Sequence, residues 1–421
     1  MNTISHQTIL EISQNFGTPT YIYNSEIIKK RFDALRNNLP DFVEIFYSMK
    51  ANPTLGICEY LKLLGSNCEV CSKIEFLTAI KAGFLPDQII FVGPGKTIDE
   101  ITLCIAHKIK FFICESIDEI KLINKISKKY KLKTNILIRI NPNFKIETAL
   151  IKMSGTPSQF GIDEKTLNNH FNKFRNLNNI NIAGIQVYNA SRVLDIDSIV
   201  SNVKQILDLS NQLKKLWKIE FTVVDIGGGL GVPYFEHEQE INIEYLAELL
   251  RNIFLDFSKE NNKMKIMMEL GRYLVAESGF LISKINYIKN THDKHYAVVD
   301  SGLHCHMAAT GLGSFVQRNF PIEIIQKNTF SHQKLKYQIS GPLCTPNDIL
   351  FKNIMLPEMK IGDLVVIKNS GAYGLTASLT RFLSHGIPAE IFLYKKNIYL
   401  IRERESVDEI LLTQKSITQY M

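Results

Sequence analysis

No uninterrupted apolar run in the 421-residue chain approaches the roughly 18 residues that cross a bilayer, so no helical membrane span is expected. The opening residues Met1-Asn2-Thr3-Ile4-Ser5-His6-Gln7 lack a charged segment followed by an apolar one, and no secretory signal is read there. Cysteine is scarce and irregularly spaced: seven residues cannot frame a disulfide scaffold in a chain of this size. That scarcity favours a reducing compartment, and a cytoplasmic location is expected. Lys and Arg number 49 against 42 Asp and Glu, a net charge of +7, with no long block of one sign. Nothing in that pattern marks a nucleic-acid grip. Pro- or Ser-rich linkers, low-complexity tracts and close repeats are also missing. What the chain does have is 45% hydrophobic and 22% charged residues, enough to bury a core. Its length calls for two or three domains, or one large barrel with an accessory domain.

Short apolar runs of strand character alternate with amphipathic helical stretches. The runs are 43–49, 68–71, 89–92, 111–114, 135–140, 182–187, 222–225 and 265–269, and helical patterns over 55–64, 73–82, 117–130, 197–216 and 243–260 lie between them. Eight strand–helix units predict an α/β fold, a parallel (β/α)8 TIM barrel over residues 25–275. After Glu269 the rhythm changes to short strands at 281–287, 296–300, 335–340, 364–369, 389–394 and 398–401, punctuated by Gly and Pro. That composition predicts a C-terminal all-β domain, a barrel or sandwich, over 276–421. Residues 1–24 are expected to join it, with Pro19–Tyr23 read as an edge strand.

A (β/α)8 barrel does its chemistry at the C-terminal ends of the strands. Those ends carry Lys50, Glu69, Glu115, Asn141, Tyr188, Gly227–Gly229 and Glu269. Lys50 closes Tyr47-Ser48-Met49-Lys50. A lysine partly desolvated at a barrel mouth is expected to have a lowered pKa and a nucleophilic amine that condenses with an aldehyde; the bland reading is a solvated surface lysine. Asp225-Ile226-Gly227-Gly228-Gly229-Leu230-Gly231 offers converging backbone N–H groups to a phosphate, or is a plain tight turn. No Lys-Ser or Lys-Thr follows, so it is not a Walker loop. Glu269-Leu270-Gly271-Arg272 places a carboxylate in the mouth beside an arginine. It is either a local ion pair or a carboxylate that keeps a cofactor nitrogen protonated while the arginine meets an anion.

Lysine, glycine loop and Glu-x-Gly-Arg are followed by Gly341-Pro342-Leu343-Cys344 and Ser370-Gly371-Ala372-Tyr373-Gly374. In this order the motifs resemble the pyridoxal-phosphate-dependent decarboxylases of fold type III, which include diaminopimelate, ornithine and arginine decarboxylases. The resemblance runs from about residue 15 to 395. It implies pyridoxal 5'-phosphate as cofactor, a barrel plus a β domain, and a homodimer with composite active sites. It also implies roles. Lys50 would hold the cofactor covalently, and Glu269 would face the pyridine nitrogen. Gly228, Gly229, Arg272, Tyr373 and Ser191 would hold the phosphate. Cys344 would enter from the other subunit to act near the substrate α-carbon. Glu69 stands where many members have an aspartate, and Tyr188 where the ornithine enzyme has a histidine stacked on the ring. Glu269 favours decarboxylation over racemisation, because a related racemase has an arginine facing that nitrogen.

The resemblance also locates departures. Diaminopimelate and ornithine enzymes carry an acidic residue after the cysteine, which reads a distal ammonium; this chain has Cys344-Thr345-Pro346. A neutral hydroxyl cannot neutralise a cation in a desolvated pocket. The usual His-x-His-Ile-Gly-Ser stretch is replaced by Gln186-Val187-Tyr188-Asn189-Ala190-Ser191, and the arginine-bearing stretch of the diaminopimelate enzymes by 300–309. These changes are similar to a subgroup that includes the decarboxylase of butirosin biosynthesis, which acts on glutamyl groups tethered to an acyl carrier protein. The expected reaction is α-decarboxylation of an amino acid without a free distal ammonium, with a carrier-bound form among the candidates. A carrier protein would be an acidic partner for a chain of net charge +7. Thr345, Asp348 and His304 are the expected substrate-pocket residues. The alternatives are diaminopimelate decarboxylation in lysine synthesis and a non-catalytic member that only binds the cofactor.

Other features read more plainly. Cys68-x-x-Cys71 lies in a predicted strand without a second pair at zinc spacing, so core packing is expected. His304-x-His306 lacks further ligands, so no metal is expected. The Lys- and Asn-rich stretch 168–181 reads as a solvated face.

Overall fold

The computed structural model describes residues 4–146, 151–152, 154–261, 264–312, 318–326 and 333–421. The chain divides into two compact units. One comprises residues 29–233 and 239–274, the other residues 1–28, 234–238 and 275–421.

The first unit is a closed parallel barrel. Its strands are Val43–Ser48, Asn67–Val70, Ile89–Phe91, Phe111–Cys114, Thr134–Asn141, Ile180–Gln186, Val223–Asp225 and Lys265–Leu270. Each pairs in parallel with the next, and Lys265–Leu270 closes the ring on Val43–Ser48 with Glu269 opposite Phe46. The eight strand-like runs in the sequence are these eight strands, displaced by at most two residues at either end. The barrel interior is filled by Phe46, Ile90, Val92, Phe111, Ile113, Leu137, Ala183, Val223 and Met267, which makes it a packed core rather than a channel. Leu55–Leu63, Lys73–Lys81, Ile117–Lys129, Ile196–Trp217 and Ile243–Glu260 are helices, as the periodicity predicts.

Two further barrel helices carried weaker signals. Ile98–His107 opens on a capping box, in which the Thr97 hydroxyl accepts from the Glu100 amide and the Glu100 carboxylate accepts from that of Thr97. Glu164–Phe174 falls across the stretch read as a solvated face. Its Asn and Lys residues are indeed outward, but Leu167, Phe171 and Phe174 are buried, and Phe171 stacks on Trp217 at 4.6 Å. Widely spaced apolar residues in a polar stretch made that face easy to miss.

The second unit is all-β apart from short helices. Its sheet runs in the order Ile349–Pro357, Lys334–Ser340, Lys294–Val299, Gly279–Thr291, Thr20–Asn24, Ala389–Tyr394, Asn397–Arg402. Leu364–Ile367 joins antiparallel on Gly279–Thr291, and Ile322–Ile325 pairs antiparallel with Leu364–Ile367. Thr20–Asn24 is not an edge strand. It pairs antiparallel with Gly279–Thr291 and parallel with Ala389–Tyr394. Pro19 stands just before the strand, so its missing N–H costs no ladder bond. Tyr21, Ile22 and Tyr23 are all buried, one face against each side of the sheet. The helix His6–Phe16, capped by Ser5, lays Ile9 and Ile12 onto a core with Ile22, Phe280, Ile282, Val366 and Ile391.

Among the described residues no helix is long and apolar enough to cross a membrane. In the barrel, Gly184 sits opposite Val223, and a Cβ there would lie 1.8 Å from the Val223 carbonyl oxygen. Gly184→Ala should therefore push two barrel strands apart and destabilise the protein by about 1–3 kcal/mol, measurable as a lowered denaturant midpoint.

Candidate active site

The C-terminal mouth of the barrel gathers an acidic cluster around one lysine. Lys50 follows the first strand in a short helical turn, Met49–Ala51. Its Nζ lies 2.5 Å from Glu69 Oε1 at the end of the second strand. The Ser48 hydroxyl donates to the other Glu69 oxygen. The Cys71 thiol, just beyond that strand, lies 3.5 Å from Glu69 Oε1. Glu69 is fully buried and the Lys50 side chain 34% exposed, so the amine is the part that reaches the opening. Across the mouth the Tyr188 ring stands with its centroid 5.4 Å from Lys50 Nζ, and its hydroxyl bonds Ser191.

Lys50 departs from its expected state. Burial does disfavour its charge, but Glu69 foremost, then Cys71, Tyr188 and Glu269, outweigh that and hold the amine well above the ordinary lysine range. The isolated protein therefore keeps Lys50 as an ammonium ion. Desolvation was the visible half of the argument; the carboxylate on the neighbouring strand decides the outcome.

Opposite the lysine, Glu269 and Asp225 are both buried at the ends of adjacent strands. Burial first, then Asp225 and Glu69, push the Glu269 carboxyl well above its usual range. Asp225 rises to about 7, again chiefly through burial. Gln186, on the strand beside Asp225, donates at 3.3 Å to both Glu269 oxygens. Burial also raises the Tyr188 hydroxyl, with Lys50 pulling the other way.

The glycine loop has a structural cause. A Cβ on Gly228 would lie 1.7 Å from the Glu269 carbonyl oxygen, and one on Gly229, at φ +99°, 2.3 Å from that of Ala190. Only bare backbone fits between the strand ends at 187–191 and 269. The Asp225 carboxylate caps the loop by accepting the Gly227 amide at 2.9 Å. Arg272 opens the next short helix, Arg272–Val275, immediately after the Glu269 strand end.

The opposite rim is a structural lattice. Glu115 accepts from Arg139 at 3.1 Å on each oxygen, and from the Gly93 and Gly161 amides at 3.0 and 3.1 Å. Arg139 in turn covers the rings of Phe160 and Tyr188. Cys68 is buried in the core as expected, but Cys71 is at the mouth.

The remaining sequence candidates lie in the β unit. Cys344 is exposed, and Thr345 lies in the same turn with its amide on the Leu343 carbonyl. Asp348 is buried with its carboxylate committed to the amides of Leu303 at 2.6 Å and Leu343 at 2.8 Å. Its visible work is to pin two turns. His304 is buried with its ring 4.9 Å from that of His385, and burial lowers it to about 4, so it is neutral. His306 bonds Ser370 at 3.1 Å. No cluster among the described residues has the three His, Cys, Asp or Glu ligands that would hold a metal. Tyr373 takes a left-handed φ of 53° within the tight 370–374 turn, where a Cβ on Gly371 would lie 1.9 Å from the Val275 carbonyl oxygen.

Comparison with known proteins bears on this geometry. Residues 25–276 match the family described as pyridoxal-dependent decarboxylase, pyridoxal binding domain. The L-glutamyl-[BtrI acyl-carrier protein] decarboxylase of Niallia circulans is 33% identical, covering 96% of both chains. The diaminopimelate decarboxylase of Aquifex aeolicus is 32% identical, over 96% of this chain and 93% of its own. Among solved structures, diaminopimelate decarboxylase from M. jannaschii with L-lysine superposes with a TM-score of 0.88 at 27% identity, over 98% of this chain and 95% of that one.

The residues present fit pyridoxal phosphate. Lys50 supplies the amine. The Asp225–Glu269 end of the mouth is buried and acidic, with no lysine or arginine among its hydrogen-bond partners in the described residues, so its chemistry suits a protonated ring nitrogen. Because Lys50 must lose a proton before it attacks an aldehyde, cofactor capture should rise with pH through the neutral range. Glu69→Gln removes the main group holding the ammonium and should move that rise to lower pH. Stopped-flow absorbance of imine formation at several pH values checks this; superimposable profiles would refute it.

Proposed function

The chain belongs to the pyridoxal-dependent decarboxylases, and on that footing we propose that it removes the α-carboxylate from an amino acid whose far end carries no free ammonium, a glutamyl group on a carrier protein being the leading form. The enzyme class is a pyridoxal 5'-phosphate-dependent carboxy-lyase. The cofactor supplies an electron sink for the pair left behind when carbon dioxide departs.

The chain's own residues would serve that chemistry in stated places. Lys50 would hold the cofactor through its amine, and Glu69 would hold that amine when it is free. Glu269 would face the ring nitrogen. Tyr188 covers one side of the site as an aromatic surface. Gly228, Gly229, Ser191, Arg272 and Tyr373 would hold the phosphate. Cys344, exposed in the single chain, acts near the α-carbon from a partner subunit, which makes the working unit a homodimer with shared sites.

One observation carries the substrate reading. The only carboxylate in the 344–348 turn is Asp348, and its oxygens are already bound to the Leu303 and Leu343 amides. Thr345 offers a hydroxyl where a distal ammonium would need an anion. The Niallia circulans relative, named for a carrier-bound glutamyl substrate, supports the same reading. A second reading is decarboxylation of free diaminopimelate. It has the broader kinship, since diaminopimelate decarboxylases recur among both the relatives and the solved structures.

Carbon dioxide release from purified protein should be fast with a glutamyl-loaded acyl carrier protein and at least tenfold slower with free meso-diaminopimelate, on the order expected when a polar contact is missing. The reverse ranking would establish the second reading. Lys50→Ala should abolish the yellow colour of the covalently bound cofactor; a colourless wild type that ignores added cofactor would point to a non-catalytic family member.

A further inference from the structure

The sequence marks Asp225 only as the residue before the glycine loop, yet its carboxylate is among the most buried in the barrel. One oxygen, Oδ1, accepts the Gly227 amide at 2.9 Å. The other, Oδ2, is buried and has no donor among the described residues. Glu269 stands on the adjacent strand, and the two buried carboxyl groups are in hydrogen-bonding reach of each other. Two carboxyl oxygens can bond to each other only if a proton lies between them.

The neighbouring cations relieve this pair only partly. Lys50 lowers Glu269 and Arg139 lowers Asp225, but Lys50 is ion-paired to Glu69 at 2.5 Å. Arg139 is spent on both oxygens of Glu115. The nearest hydrogen-bonding side chain from the adjoining strand, Gln186, is neutral and reaches only Glu269. Against the pull of Lys50 and Arg139, Glu69 adds repulsion to both members of the pair. Two negative charges in contact, buried and without a cation of their own, cannot both persist.

We infer that Asp225 is a positioning residue that shares one proton with Glu269, so that the pair carries a single negative charge until the cofactor ring docks. The inference rests on the pyridoxal reading of the site. On docking, the carboxyl O–H bond breaks. The proton passes to the ring nitrogen if that arrives bare, or to solvent if it arrives protonated. In either case the pair is left with two charges facing one N–H⁺. Glu269 is thereby fully charged only when the positive ring is present to hold it, and Asp225 keeps it aimed through the capped glycine loop.

Asp225→Asn is a conservative probe. The amide oxygen still accepts from Gly227, while the amide N–H₂ donates to Glu269, so no proton need be shared. Infrared spectra of the cofactor-stripped protein should show a buried protonated carboxyl band in the wild type, shifted in D₂O. The band should be missing from both Asp225→Asn and Glu269→Gln. Adding pyridoxal phosphate in weakly buffered solution at neutral pH should release about one proton more from the wild type than from Asp225→Asn. The ligand's own protons cancel in that difference. A band retained in either variant, or equal proton counts, would overturn the inference. If Asp225→Asn does not fold, the band in Glu269→Gln decides. Failure to take up the cofactor would instead count against the pyridoxal reading, and the infrared result on the stripped protein would still judge the pair.

Discussion

Charge balance at the barrel mouth governs this protein. The strand ends bring Glu69, Asp225 and Glu269 into a buried space with one lysine, and the backbone dictates how close they lie. That arrangement is poorly compensated on its own and well matched to a ligand with a positive ring and an aldehyde. The unfavourable desolvation of the acids is thus a form of stored recognition. It also explains the state of Lys50. A residue at a hydrophobic mouth would lose its proton readily, but here the nearest carboxylate reverses the sign.

Around the mouth, a different logic holds the loops. Glu115 ties the ends of three chain segments through Arg139 and the Gly93 and Gly161 amides. The adjacent Lys96 is almost fully buried and satisfied by Glu119 and the carbonyls of Gly93 and Ile113. These contacts make a rigid rim from polar groups that are all partnered. The reactive side keeps its acids imperfectly paired, and the structural side does not. This contrast separates the part of the mouth built to accept a ligand from the part built to stay still.

Much of this was legible in the sequence. Strand ends in a barrel are functional positions by geometry, so Lys50, Glu69, Tyr188 and Glu269 could be named from the alternation of apolar runs alone. The eight strands were readable because parallel strands buried on both faces are continuous apolar runs. Thr20–Asn24 reads as an edge strand because a sequence does not show which neighbours arrive from residues 279 and 389. Ile322–Ile325 and Ile349–Pro357 leave no clear strand signal because their polar residues interrupt the pattern. Asp225 and Cys71 were in plain view but lacked a motif of their own. Their significance comes from the residues beside them on other strands. The sign of the Lys50 shift was lost for the same reason, since it depends on a distance of 2.5 Å rather than on a spacing.

Asp348 has one further bearing. By fastening the Leu303 and Leu343 amides, with Gly302 and Gly341 pressed against its oxygens, it is the side chain that ties the turn to its neighbours. The Thr345 side chain adds one long bond to that scaffold, its hydroxyl accepting the Asn347 amide at 3.4 Å. The turn therefore separates what must be kept from what can be exchanged. A different side chain at 345 would meet the same loop backbone, a modularity that puts new selectivity within reach of a single codon change.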